Sequence, residues 1–576
     1  MRKRSLLALA LLLAGCGTQG VSPRVAWNGS FPTSWWHRTP RSMASGRYTM
    51  VVSDHPVASR IGVDVMRHGG NAIDAAVAVG FALAVAHPQA GNIGGGGFLV
   101  YRAADGQAYT LDFRETAPAA ATRDMYLDAG GGLNDKRLTG ALAAGVPGTV
   151  AGLWEMHERF GRLPWSELLA PAVALARNGV VIDSARAWAF ANETSQERMR
   201  RFRTTIAALL PGGATPRLGD TLRQPDLART LALLADSGAY AFYRGSIADQ
   251  IVAEMRRSGG IITGADLAGY EAKWREPLRI SYRGWEVIGM PPPSSGGVTL
   301  AEMLNILEGY DPLPPYGTAQ LMHFELEAMR RAFADRNYWL GDPDFITMPI
   351  ARLTSKAYAD SLRRGIAPDR ATPTRSLPPV AEGTHTTHYS VVDQEGNAAS
   401  ITYTLNDDFG SALVVGGAGF LLNDEMDDFA TKPGSPNLYG LVQGEANAIQ
   451  PGKRMLSAMT PTIVLDRQGR LSLVLGSPGG PRIISAVMQV LSNVVDHGMT
   501  LSQAVSAPRI HHQALPDSVM FEPEGITPEQ RRDLQKMDYV FEERPRWIGD
   551  VNAVLVTRRG VIGVADPRRG GGAAGW

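Results

Sequence analysis

The chain has 576 residues, with 57 Lys and Arg against 56 Asp and Glu, a formal net charge of +1, and one cysteine. That balance supplies no electrostatic reason to expect nucleic acid or an acidic polymer as a partner. A lone cysteine excludes an internal disulfide and a cysteine-based zinc site, so a body of this length must rely on its core.

In chain order, MRKRSLLALALLLAGCGTQG places basic residues ahead of an apolar run from Leu6 to Ala14. This is the layout of a secretory signal, and the run is too short to span a membrane. It ends in Leu13-Ala14-Gly15-Cys16, which resembles the bacterial lipoprotein box. The resemblance implies a signal peptide at 1–15, lipidation of Cys16, and residence in the bacterial envelope, at the outer membrane or periplasm. Membrane contact is then expected only through the lipid. Residues 16–50 read as a tether and surface strap.

From Val51 the pattern mixes α and β. Ala72–Ala86, AIDAAVAVGFALAVA, predicts a helix apolar on every side and hence buried. Amphipathic helices are expected at Thr149–Phe160, Trp165–Asn178, Pro225–Asp236, Ser246–Ser258 and Thr318–Trp339. GNIGGGGFLVYR lacks the Gly-Lys-Ser/Thr ending of a phosphate loop and runs into a strand, so its glycines point to close backbone approach. PSSGG, 293–297, is ambiguous. Arg364–Gly383 loses apolar periodicity and carries four prolines, which marks a surface stretch.

After it the period becomes two. THYSVVD and AASITYTL flank Gln394-Glu395-Gly396, a favourable hairpin loop with glycine last. Centred on Glu395, the hairpin pairs Asp393 with Asn397 and, counting outward, Thr386 with Thr404. Two hydroxyl residues then stand side by side at its open end. Thr386 is open to two readings: a polar strand edge, or a new N-terminus made by cleavage. GSPGG, 476–480, follows a strand (Leu471–Gly476) and precedes a helix (Arg482–His497), so it is either a tight turn or a set of N–H groups facing an anionic oxygen. His511-His512 has no companion cluster with ligand spacing, and no metal is expected.

Several segments together resemble the γ-glutamyltransferase family, also called glutathione hydrolases: GGNAIDAAVAVGFALAVAHPQAGNIGGGGFLVYR, DFRETAP, GVPGTVAGLWEMHERFG, TTHYSVVDQEGNAASITYTLN, LLNDEMDDF and GSPGG. The resemblance spans nearly everything from Val51 onward. It implies an α/β (α+β) fold, the four-layer αββα sandwich of N-terminal-nucleophile hydrolases. It also implies autocleavage between His385 and Thr386, giving a large subunit (51–385 after the strap) and a small catalytic one (386–576) that stay together as a heterodimer. The chemistry is coherent on its own terms. A threonine hydroxyl needs a base beside it, and a freed α-amine with a reference pKa of about 8 is one.

By the same resemblance Thr386 is nucleophile and base, Thr404 hydrogen-bonds it, and Gly479 and Gly480 form the oxyanion hole. Arg114 takes the donor's α-carboxylate, a task that suits a guanidinium. Asn406, Glu425 and Asp428 take its α-ammonium, with Asp424 and Asp427 expected to face solvent. Ser457 matches the first of two carboxylate-binding serines, and the second is Ala458 here, so one hydroxyl contact is missing. Tyr439 sits in KPGSPNLYG, which resembles a lid loop. Asp407 and Asp408 depart from uncharged residues in relatives and are expected to bear on the acceptor side. Thr387 is expected on the opposite strand face, and His388 as a packing residue. No cofactor is implied. The substrates expected are glutathione and other γ-glutamyl amides, with water, amino acids or peptides as acceptors. Two alternatives are a glutaryl or cephalosporin-type acylase on the same fold, and a non-catalytic surface lipoprotein.

Overall fold

Two seven-stranded antiparallel sheets stack face to face, with helices on both outer sides. The computed structural model describes residues 42–373 and 386–576. The signal, Cys16 and His385 lie outside the described residues. The first sheet runs Met43–Gly46, Gly560–Val564, Asn552–Thr557, Leu471–Gly476, Thr462–Leu465, Trp285–Gly289, Leu278–Tyr282. The second runs Gly572–Gly575, Met50–Ser53, Thr386–Val392, Ala398–Thr404, Gly96–Arg102, Ala108–Phe113, Lys273–Arg275. This is the expected αββα sandwich, and both sheets interleave segments from either side of residue 386.

The Ala72–Ala86 helix has every residue buried, as its unbroken apolar sequence requires. Asn71 and Asp74 close its start with a reciprocal capping box. Gly80 lets it lie on the second sheet, where Tyr403 donates its hydroxyl to the Gly80 carbonyl at 2.9 Å. Tyr389, Val391, Ile401 and Tyr403 face this helical layer. The opposite face of the same strands carries His388, Ser390, Ser400 and Thr402. It meets the first sheet through hydroxyls: Ser390 Oγ donates to Asn552 O at 3.1 Å, and Ser400 Oγ to Leu475 O at 3.0 Å. Buried hydroxyls are tolerated there because each finds a carbonyl.

Helices Gly296–Glu308, Ala319–Trp339 and Arg482–Val495 cover the first sheet's outer face. The expected helices form within a residue or two of their expected bounds. Several elements were not expected, among them the helices Pro56–Arg67 and Gly296–Glu308 and the strands Leu278–Tyr282 and Trp285–Gly289. Met43–Gly46, within the stretch read as a strap, is the edge strand of the first sheet and pairs with Gly560–Val564. A four-residue edge strand with alternately exposed side chains carries too little apolar signal to be read from its sequence.

Candidate active site

The hairpin has the expected register: Val392 opposite Ala398, and Thr386 opposite Thr404. Gly396, at φ +90°, makes the turn. Thr386 and Thr404 therefore sit side by side at the far end, in a strand pair at the centre of the sheet. Gly95 and Gly97 let the neighbouring strand close on this pair, since a Cβ on Gly95 would stand 2.0 Å from the Thr404 carbonyl. That is the close approach the glycine run implied. Thr387 points the other way, its Oγ1 donating to Asp54 at 2.6 Å. His388 is pinned between Thr402 Oγ1 at 2.8 Å and Ser390 Oγ at 3.0 Å. Burial lowers its pKa to about 3, so it is a neutral packing residue.

Thr386 and Thr404 open onto a pocket also lined by Arg114, Asn406, Asp428, Tyr439, Ser457 and Gly480. Eight of the ten residues expected in the site thus converge. Asn406 reaches it through a left-handed backbone, φ +84°. Its N–H donates to Thr404 Oγ1 at 2.8 Å, and its amide to Asp424 O at 3.0 Å. Tyr439 donates its hydroxyl to the Asn406 carbonyl at 2.7 Å, and its ring covers Gly480. Ser457 lies opposite, its Oγ accepting the Met459 N–H at 3.1 Å.

The remaining two of the ten sit one layer back. Gly479, at φ +131°, precedes Gly480 in the turn from strand to helix. The helix Arg482–Val495 starts immediately after, so its positive end points at this turn. Glu425 lies behind Arg114, on the short 3₁₀ turn Glu425–Asp428.

Arg114 is wholly buried and holds three carboxylates. Nη1 is 2.6 Å from Glu425 and 3.4 Å from Glu115, Nη2 binds Asp428, and Nε donates to Met455 O at 3.3 Å. Burial alone would lower its pKa, but Glu425, Glu115 and Asp428 together raise it. Burial raises the pKa of all three acids against the lowering pull of Arg114. The guanidinium that matches the family's carboxylate ligand is thus joined directly to the acids that match its ammonium ligands.

Asp424 and Asp427 correct an expectation. Neither faces solvent: both are fully buried, Asp424 beside Arg198 at 3.3 Å and Asp427 bound by Arg137 and by the Leu438 N–H at 2.7 Å. Two distant arginines make that burial tolerable, and sequence spacing could not reveal them. Asp407 and Asp408 do not line the pocket either. Asp407 pairs with Arg198 at 2.6 Å, and Asp408 is buried. Sequence reasoning also missed Arg336, which lines the pocket from the helix Ala319–Trp339. The available signal was a cation flanked by Phe333 and Asn337 on the helix's buried face.

A family model described as gamma-glutamyltranspeptidase matches residues 58–576. The chain is 45% identical over 558 residues to the glutathione hydrolase proenzyme of Pseudomonas sp. (strain A14), covering 93% of this chain and 96% of that one. It is 46% identical over 526 residues to the glutathione hydrolase proenzyme of Escherichia coli (strain K12), 90% of each. The crystal structure of cephalosporin acylase from Bacillus halodurans superposes with a TM-score of 0.83 at 27% identity, over 95% of this chain and 98% of that one. The pocket at the hairpin's open end and these matches lead to one conclusion: the chain belongs to the gamma-glutamyltranspeptidase family.

Proposed function

We propose that the chain is a self-processing γ-glutamyl hydrolase and transferase, acting on glutathione and related γ-glutamyl amides. The observation that carries this reading is the convergence of Thr386, Thr404, Arg114, Asn406 and Asp428 on one pocket. Cleavage of the 385–386 peptide bond frees the α-amine of Thr386. That amine takes the hydroxyl proton as Oγ1 attacks the substrate's γ-carbonyl carbon. The N–H groups of Gly479 and Gly480 hold the oxyanion while Thr404 orients the nucleophile. The C–N bond breaks, the departing amine takes the proton, and a γ-glutamyl ester of Thr386 remains. Water, or an acceptor amine, attacks the ester and regenerates Thr386. Asn406 and Asp428, with Glu425 behind, face the donor's ammonium, while Arg114 and Ser457 face its carboxylate. Tyr439 closes the pocket over the donor.

The deciding experiment compares kcat/KM for a γ-glutamyl anilide with that for the glutaryl anilide, which lacks only the α-amino group. A strong preference for γ-glutamyl is expected, because the analogue brings no ammonium to Asn406 and Asp428 and leaves Asp428 with Arg114 as its sole ion-pair partner among the described residues. Equal rates, or a preference for glutaryl, would make the protein an acylase. Ala458, which lines the pocket without a hydroxyl, favours that second reading. Thr386→Ala is expected to give one uncut chain with no turnover; normal two-chain processing in that variant would sink the assignment. Cys16 is proposed as the lipidated residue, holding the enzyme in the bacterial envelope. Metabolic labelling with a tritiated fatty acid that survives in Cys16→Ser would refute that.

A further inference from the structure

Within the pocket two guanidiniums face the donor site, and they are in opposite conditions. Arg114 is saturated by three carboxylates and a carbonyl. Arg336 is equally buried, yet among the described residues no carboxylate forms an ion pair with it. Its Nε donates to Ser295 Oγ at 2.9 Å, and its Nη1 to Asn337 Oδ1 at 2.9 Å, with Gln443 Oε1 at 3.5 Å. Among the described residues, Nη2 meets no protein acceptor. A buried cation served only by neutral oxygens is an expensive arrangement, which an arriving anion would relieve. Burial lowers its pKa to about 10, and Asp428 opposes this, so it stays charged at neutral pH.

The position of Arg336 says which anion. Ser295, which receives its Nε–H, donates its own hydroxyl to the Ser457 carbonyl at 2.6 Å, and the Ser295 N–H donates to the same oxygen at 2.7 Å. Arg336 thus stands directly behind the segment that carries Ser457 and Ala458, and all three line the pocket. Ala458 offers a methyl where a second hydroxyl would bind a carboxylate oxygen. We propose that Arg336 is the second cation of the donor's α-carboxylate subsite, its Nη2 taking the oxygen that position 458 cannot hold. This deepens the γ-glutamyl reading and rests on it. A zwitterionic donor then completes an alternating set of charges, with its carboxylate between Arg336 and Arg114 and its ammonium beside Asp428.

The test uses processed, two-chain enzyme and two anilides: γ-glutamyl, and 4-aminobutanoyl, which lacks only the α-carboxylate. In Arg336→Gln, kcat/KM for the γ-glutamyl compound should fall about 10- to 100-fold, the size of one lost charge-assisted hydrogen bond, mostly through KM. The 4-aminobutanoyl compound should change less than threefold, so the ratio between the two collapses. Ala458→Ser added to Arg336→Gln should restore part of the ratio. Arg336→Lys, which keeps the charge and the buried stem, should show a smaller loss, and it carries the test if the Gln variant does not process. Both substrates falling by the same factor would mean that Arg336 only supports the fold, and would overturn the proposal. Failure of the γ-glutamyl reading itself would show in the unmodified enzyme, as equal rates on γ-glutamyl and glutaryl anilides.

Discussion

At the scale of single residues, the site depends on where glycine and charge are placed. Gly480 has φ +57°, and a Cβ there would stand 2.7 Å from the Tyr439 ring. Gly480→Ala is expected to cost about 1–2 kcal/mol for its left-handed backbone and to push Tyr439 off the pocket. Turnover should therefore fall far more than Tm; a variant that keeps full turnover would contradict this. Removing the central cation is different in kind. Arg114→Met strands three buried acids and is expected to destabilise by about 3–5 kcal/mol, read by urea denaturation. Asp408 supplies a pH signature. Burial raises its pKa to about 8, with Arg569 and Arg198 pulling the other way. A carboxyl raised above its unfolded value of 3.8 contributes stability in full below that value and loses it as pH rises through about 8. The Tm advantage of Asp408→Asn over the parent should thus grow between pH 5 and pH 8.5, and a constant difference would refute the assignment. The gathering of Thr386, Arg114 and Asp428 at one pocket was legible because their motifs are continuous in sequence. The partners of Asp424 and Asp427 were not, because Arg198 and Arg137 reach them from more than 200 residues away.

At the scale of elements, the strand Thr386–Val392 was the most legible part of the chain. Its period of two and its Gly396 turn set the register from local information alone. What the period could not reveal was the polar seam between the sheets. His388 sits under Gly476, where an added Cβ would lie 2.3 Å from the imidazole Cε1. With the ring held by Thr402 and Ser390 it cannot move aside. Gly476→Ala should force the two sheets apart just below Thr386, lowering Tm and slowing self-cleavage together. A variant that keeps both would show that the seam yields more easily than its hydrogen bonds indicate. The Met43–Gly46 edge strand illustrates the opposite limit: it exists because Gly560–Val564 offers it a partner, a fact of tertiary pairing that its own four residues do not encode.

At the scale of the whole molecule, each sheet combines strands from before and after residue 386. Met50–Ser53 lies between Gly572–Gly575 and Thr386–Val392, and Ala398–Thr404 lies between Thr386–Val392 and Gly96–Arg102. Cutting the chain before Thr386 leaves every one of those ladders intact. The two chains are expected to co-elute in native size exclusion and to separate only in denaturant. Dissociation on simple dilution would contradict the interleaving. The fold class was accessible from the sequence through resemblance, while the interleaving needed the strand pairings themselves.

The triple grip of Arg114 on Glu425, Asp428 and Glu115 also bears on how the enzyme rests between turnovers. With its guanidinium so occupied, Arg114 offers little attraction to passing chloride or phosphate; among the described residues, the unpaired charge of the pocket is that of Arg336. Free glutamate, once released, must compete against carboxylates already tethered beside the guanidinium at very high effective concentration. The protein thus carries its own weak antagonist, which loosens its hold on donor and product alike, since both bring the same α-carboxylate and α-ammonium.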